Sequence, residues 1–179
     1  MTTTVFTHPH TPRLQRRAVR MALITALITG GLCLIVLLRF EHGPLAFATI
    51  GSYFSAGDPE GTTGYDGQFF YFIARDGADS TPYLDGPTLR LQRIVYPVFA
   101  RLMALGNAER VPWTLVLINV AAQSIGAGLL AYISGRFGGP TVAGLIYGLW
   151  IGGQYAVRLD LSEPLCLAFS LGALLAYCQ

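Results

Sequence analysis

The side chains able to do chemistry in this chain fall into two groups. Asp66 lies in Gly64-Tyr65-Asp66-Gly67-Gln68-Phe69-Phe70-Tyr71, and a second polar run follows as Arg90-Leu91-Gln92-Arg93-Ile94-Val95-Tyr96-Pro97. The other group is Asp160-Leu161-Ser162-Glu163-Pro164. A carboxylate like Asp66, partly desolvated by Tyr65, Phe69 and Phe70, can take a proton from a hydroxyl as that oxygen attacks, or help bind a divalent cation. Standing before Gly-Gln-Phe-Phe, it can equally cap a helix by accepting the amide hydrogen of Gln68 or Phe69. Arg90 and Arg93 are three apart and share a helical face beside Tyr96. A guanidinium fork there matches a phosphate, and generic headgroup contact or snorkelling competes as an explanation. Asp160 with Glu163 can bind a metal or a sugar opposite Asp66, or simply cap the helix that Pro164 opens. No H-E-x-x-H, Walker loop, nucleophile elbow or Cys/His zinc spacing occurs, so protease, NTPase and hydrolase chemistry lacks a motif.

The elements that must position these groups are mostly lipid-soluble. The chain has 179 residues, of which 53% are hydrophobic and only 12% charged, about half the charge of an ordinary soluble domain. A net charge of +2 is too small to suggest nucleic acid. All twelve basic residues are arginine, and with the Ala/Gly/Pro richness this points to a GC-rich, bacterial coding sequence. Cys33, Cys166 and Cys178 sit in apolar runs and read as small hydrophobes.

Residues 1–20 read as a disordered, basic, cytoplasmic tail carrying Arg13, Arg16, Arg17 and Arg20. The uncharged run 21–38 is long enough to cross a bilayer, and the arginines before it place the amino terminus inside. A cleaved signal peptide ending near Ala46-Phe47-Ala48 is the competing reading; the long core and the intervening Arg39, Glu41 and His42 count against it. Residues 39–110 hold six acids between 58 and 85 and cannot span. They read as an external loop, with a short helix at 67–75 whose Phe69, Phe72 and Ile73 share a face to lie against lipid or other spans, and an interfacial or half-buried helix at 94–106. Further crossings are expected at 111–134, 141–157 and 164–179, the last stopping abruptly, as in the front part of a longer polytopic protein. Asn119 and Gln123 share a helical face and should point into the bundle. Gly144, Gly148 and Gly152 form a strip suited to close packing with a partner helix. The expected fold is all-α, a polytopic transmembrane helical bundle with a large external loop bearing short interfacial helices. In this topology both acidic groups face the same, non-cytoplasmic side.

The first span, Tyr65-Asp66-Gly67-Gln68-Phe69-Phe70-Tyr71, Gln92-Arg93-Ile94-Val95-Tyr96-Pro97 and Asp160-Leu161-Ser162-Glu163-Pro164 together resemble the amino-terminal portion of the GT-C superfamily of integral-membrane glycosyltransferases. The nearest likeness is to bacterial mannosyltransferase-like membrane proteins, with a more distant one to the GPI-anchor mannosyltransferases. The resemblance implies an inverting sugar transfer from a polyprenyl-phosphate donor on the non-cytoplasmic face of the bacterial inner membrane. It assigns Asp66 as the catalytic acid of the first external loop, and Tyr65, Gln68, Arg90, Arg93, Tyr96, Asp160 and Glu163 to substrate binding. A divalent cation remains open, since the paired acids usual in the family's first loop are missing: Asp66 is followed by Gly67. The alternative is a non-catalytic membrane scaffold or transporter subunit; the uncharged spans count against transport.

Overall fold

The computed structural model describes residues 12–178, and every regular element among them is helical. The α-helices are α1 (Pro12–Arg39), α2 (Leu45–Ala48), α3 (Ser52–Ala56), α4 (Gly67–Asp76), α5 (Pro87–Leu91), α6 (Val95–Met103), α7 (Val111–Arg136), α8 (Ala143–Gly148), α9 (Ile151–Arg158) and α10 (Glu163–Tyr177). Short 3₁₀ segments, Gly77–Tyr83 and Ala108–Arg110, join α4 to α5 and lead into α7.

Two helical stretches, Pro12–Arg39 and Ala108–Arg136, are long and apolar enough to cross a membrane. The first begins earlier than expected: residues 12–20 are helical, so the basic segment is the first turns of α1 and not a disordered tail. Residues 1–11, with the rest of that expectation, lie outside the described residues, as does Gln179. The outward face of α1 is bare, with Leu27 76% and Leu38 78% exposed, as suits a helix set in hydrocarbon and not in water.

α7 is the hub, packed against α1, α8, α9 and α10, and it is apolar on its packed faces and on the face that stays exposed through Trp113, Leu117 and Ile125. On one side Leu115, Ile118 and Ala122 join Phe70, Tyr96, Leu165 and Ala168. On another, Val116 meets Cys33 of α1, Phe47 of α2 and Val157 of α9.

The expected single crossing at 141–157 is broken. α8 ends at Gly148, and Trp150 takes an extended ψ of 131° before α9 begins. The break disrupts the regular use of carbonyls by the helix; the Trp150 amide still reaches Tyr147 O (3.3 Å), and side-chain amides supply further donors. Gln123 Nε2 donates to Tyr147 O (3.2 Å) and Gly148 O (3.1 Å), and Gln154 Nε2 donates to Gly148 O (2.6 Å) and Thr29 Oγ1 (2.9 Å). Non-helical backbone is tolerated at membrane depth only with such partners. Asn119 and Gln123 are both buried in the bundle.

The glycine strip is used within the chain. A Cβ on Gly144 would strike the Ala127 carbonyl of α7, one on Gly148 would strike Thr25 of α1, and one on Gly152 the ring of Trp150. The surface expected to receive a partner helix is therefore already occupied by α7 and α1.

Residues 39–110 fold over one end of the bundle. α4 matches the expected short helix, and of the two settings open to it, lipid or other helices, it takes the second: Gly67 to Ala74 are all buried. Phe70, Tyr71 and Phe72 enter the main core, while Phe69 and Ile73 pack on Leu84 and Phe54. α6, nine residues long, spans about 14 Å and is too short to cross. It buries Tyr96, Pro97 and Ala100 and exposes Val95, Val98, Phe99, Leu102 and Met103. Its Arg101 reaches across to α4, where Nη1 donates to Ala74 O (3.1 Å) and Arg75 O (2.7 Å), occupying carbonyls at that helix's end.

Candidate functional site

Asp66 precedes α4 in helical backbone conformation (φ −57°, ψ −28°) and forms no side-chain cap. A capping carboxylate needs a non-helical residue to turn it back over the helix end. Here the amides of Gln68 and Phe69 are taken by the carbonyls of Tyr65 (3.1 Å) and Asp66 (3.1 Å). The Asp66 carboxylate is thereby left for Arg90. Nη1 and Nη2 of Arg90 donate to Asp66 Oδ2 (2.8 Å) and Oδ1 (3.0 Å), while Nε and Nη2 donate to Asp85 Oδ1 (2.7 Å) and Oδ2 (2.8 Å). The guanidinium also lies 4.3 Å from the centre of the Phe69 ring, a cation–π contact. Arg90 is the buried member, its side chain 15% exposed against 43% for Asp66 and 38% for Asp85. The neighbouring guanidinium holds the Asp85 carboxyl below its ordinary range.

Asp85 is the residue that sequence reasoning missed. Asp85-Gly86-Pro87 reads as a turn, and the turn is there: Pro87 opens α5 and the Leu89 and Arg90 amides bond to Gly86 O, each at 3.0 Å. That short helix carries Arg90 back over Asp85, five residues earlier.

Arg93 is exposed and forms no ion pair among the described residues. It lines two adjoining hollows. One, of 330 Å³, is polar and walled by Asp66, Asp85, Arg90 and Arg93. The other, of 520 Å³, is a mostly apolar groove between residues 92–96 and the start of α10, with Val95, Tyr96, Leu165, Phe169 and Glu163 among its walls. Gln92 and Arg93 belong to both. A larger 620 Å³ hollow beside α3 shares only Asp85 with this group and gathers no other charge.

The second acidic segment is fastened directly behind the first. Gly67 packs against the carbonyl of Leu159 so closely that a Cβ could not fit. Tyr65, exposed at the surface, sets its ring edge-on to Tyr155 at 6.4 Å. Arg158 ties the same turn to the loop, donating through Nη1 to Ala46 O (2.8 Å) with its guanidinium over Phe40 and Phe47.

Several residues assigned to substrate binding have other work. Gln68 is fully buried; its Oε1 accepts from Gly51 N (3.1 Å) and its Nε2 donates to Thr63 O (2.7 Å), which staples the loop 49–65. Tyr96 is also buried, its hydroxyl donating to Leu115 O (3.1 Å) and accepting from Asn119 Nδ2 (2.8 Å), so that only its ring faces the groove. Asp160 is fully buried and lines neither of these two hollows, although Glu163, one turn on, stays exposed and lines the groove. Ser162, before α10, makes no side-chain cap, and neither acid performs the expected capping.

Asp160 instead ends α9. The Asp160 amide bonds to Val157 O (3.3 Å) and the Leu161 amide to Ala156 O (3.0 Å), a Schellman pair that puts Asp160 in the left-handed region at φ 50°. Glycine usually takes this place, and aspartate is one of the few other residues to tolerate it. Neither of its carboxylate oxygens has a hydrogen-bond partner, nor has Asn119 Oδ1. The Tyr96 hydroxyl and Asn119 amide act on its charge, although the Tyr96 proton goes to Leu115 O and one Asn119 Nδ2 hydrogen goes to the Tyr96 oxygen. Burial pushes the Asp160 carboxyl well above its ordinary range, against the opposing influence of Arg158, Tyr96 and Asn119.

A divalent cation does not fit this arrangement. Asp66 and Asp85 already share one guanidinium, and among the described residues no three His, Cys, Asp or Glu side chains gather as ligands. No protein-family model, no curated protein and no solved structure matches this chain.

Proposed function

We propose that this chain is a membrane glycosyltransferase-like protein of the GT-C type, moving a sugar from a polyprenyl-phosphate donor on the non-cytoplasmic face, with its amino terminus in the cytoplasm of a bacterium. The observation that carries the reading is the junction of the polar hollow at Asp66, Arg90 and Arg93 with the apolar groove at Val95, Leu165 and Phe169. A lipid-linked sugar phosphate has the same division: a polar head, a charged phosphate and a hydrocarbon chain.

In this reading Arg93, at the junction, meets the donor phosphate first. The phosphate then competes with Asp66 for Arg90, because a guanidinium fork serves a phosphate as well as it serves a carboxylate. Released from Arg90, Asp66 accepts the proton of the acceptor hydroxyl as its oxygen attacks the anomeric carbon and the bond to the polyprenyl phosphate breaks. Asp85 keeps Arg90 in place throughout. Asp160 acts from behind, through the Leu159–Gly67 contact, and does not touch the sugar.

The test is transfer from a polyprenyl-phosphate sugar by membranes containing the protein, compared with membranes containing Asp66→Asn. The expected result is transfer by the parent and its loss, by 100-fold or more, in the variant, the scale on which general-base removal acts. Equal transfer by both removes Asp66 from the mechanism. Failure of a photoactivatable polyprenyl phosphate to label the groove would remove the donor assignment.

A further inference from the structure

The opposite end of the bundle carries a second charged feature, which stands independently of the glycosyltransferase reading. All ten carboxylates of the sequence lie at residues 41–109 or at 160 and 163; none occurs in 1–40 or 110–159. Arg13, Arg16, Arg17 and Arg20 in the first turns of α1, and Arg136 at the end of α7, therefore share an end of the molecule to which the chain brings no acid. A cleft of 560 Å³ opens there. Its walls are Arg13, Leu14 and Arg17 on one side and Gly135 with the 138–142 turn on the other. Arg13 and Arg17 are four apart, one above the other on a single face, and both are exposed. Next to Gly135, Nη1 of Arg136 is withdrawn from solvent without a hydrogen-bond partner.

The turn keeps the cleft open. Gly138 takes φ 79°, which favours glycine, and Gly139 lies so close to Ser134 Oγ that a Cβ would stand 2.6 Å from it. Ser134 Oγ donates to Pro140 O (3.0 Å) and the Gly139 amide bonds to Ser134 O (2.8 Å), which holds the turn against the end of α7. The depth is also informative. Arg17 lies four residues before the uncharged run that starts at Met21, about 6 Å along the helix axis. That is where lipid phosphates sit when the run lies in hydrocarbon.

We propose that this cleft is a binding site for the phosphate of an anionic phospholipid headgroup, gripped by Arg13 and Arg17. Two guanidinium forks on one helix face meet phosphate oxygens in pairs, and the lipid supplies the counter-charge that the chain lacks at this end. The eleven residues before α1 contain no acid and offer no substitute.

The test compares two double variants of equal charge in the detergent-solubilised full chain, R13Q/R17Q inside the cleft and R16Q/R20Q on the same helix outside it. The probe is a short-chain phosphatidylglycerol, with phosphatidylcholine and soluble glycerol phosphate as the other arms. The expected result is a dissociation constant raised at least tenfold in R13Q/R17Q and less than threefold in R16Q/R20Q, with weak binding of phosphatidylcholine. Equal losses in the two variants would overturn the site and leave a diffuse charge. Equal affinity for phosphatidylcholine would overturn the requirement for an anionic headgroup. Glycerol phosphate binding as tightly as the lipid would overturn the lipid source in favour of a soluble phosphate ester. These arginines are exposed, so folding should persist; the single R17Q, expected to lose binding in the same direction, covers the case where the double variant does not fold.

Discussion

Gly67 and Leu159, 92 positions apart in sequence, meet with the Leu159 carbonyl filling the space where a side chain on Gly67 would stand. That contact sets the turn bearing Asp66 directly on the turn bearing Asp160. The two acidic segments form one continuous piece of backbone packing at one end of the bundle, although their carboxylates face different surroundings: Asp66 lines a hollow, and Asp160 is sealed off.

The contact should not tolerate a methyl group. Gly67→Ala forces backbone against backbone, and overpacking of this kind costs about 1–3 kcal/mol. Thermal unfolding should show the loss, and hydrogen exchange should rise at both residues 64–68 and 158–162. Exchange that rises at only one of these turns would mean they are not coupled.

The buried Asp160 makes stability depend on pH. Its folded carboxyl is raised, so the folded chain retains a proton that the unfolded chain releases above about pH 4. Stability from this group is complete below the unfolded value and declines as pH rises towards the folded one. Asp160→Asn should flatten that decline. At neutral pH it should also stabilise the fold, since asparagine has no proton to take up on folding and tolerates the left-handed turn. Chemical denaturation of both proteins between pH 5 and pH 9 (a roughly neutral window) checks the sign.

The Arg90 cluster responds in the opposite direction. Arg90 holds Asp85 below its ordinary range, so the contribution of this pair is present at neutral pH and fades on acidification through the carboxylate range. Both acids are substantially exposed, and the loss in global stability is small. The local effect of Arg90→Gln should be larger, because Phe69 loses its cation and two carboxylates are left facing each other. Proteolysis within 84–94 should accelerate in the variant while the unfolding temperature moves by only a few degrees.

Arg101 offers a test of how the loop region is fastened. Replacing it with methionine keeps the aliphatic stem and removes the bonds to the Ala74 and Arg75 carbonyls. Hydrogen bonds to a charged group contribute about 1.5–3 kcal/mol, and Arg101→Met should lose that much in unfolding measurements. The amides of the 3₁₀ segment after α4 should exchange faster as well.

At the break between α8 and α9, Gln123→Leu removes the side-chain donor of two carbonyls that each keep another, Tyr147 the Trp150 amide and Gly148 the Gln154 amide. The expected cost is about 0.5–1.5 kcal/mol, and Gln123→Glu, which accepts where a donor is needed, should cost more. Gln123→Glu behaving like the parent would show that the amide does not hold the break.

Much of the architecture follows from local composition. The two long apolar helices, the short helix after Asp66 and the half-buried α6 are legible because bilayer thickness, charge exclusion and helical period act on contiguous residues. Asp66, Arg90 and Arg93 could be singled out for the same reason, as charges amid aromatics. Tertiary structure decided what each polar group does. Whether Gln68 binds a ligand or staples a loop depends on Gly51 and Thr63 coming within reach. Whether residues 141–157 form one helix or two depends on Gln123 and Gln154 arriving to satisfy the carbonyls of the break. Arg90 finds Asp85 through the turn at Gly86 and Pro87, and Asp160 loses its access to water because Gly67 closes on the turn that carries it. Hydrophobic runs are properties of neighbours along the chain, but hydrogen-bond partnership and desolvation are set by neighbours in space.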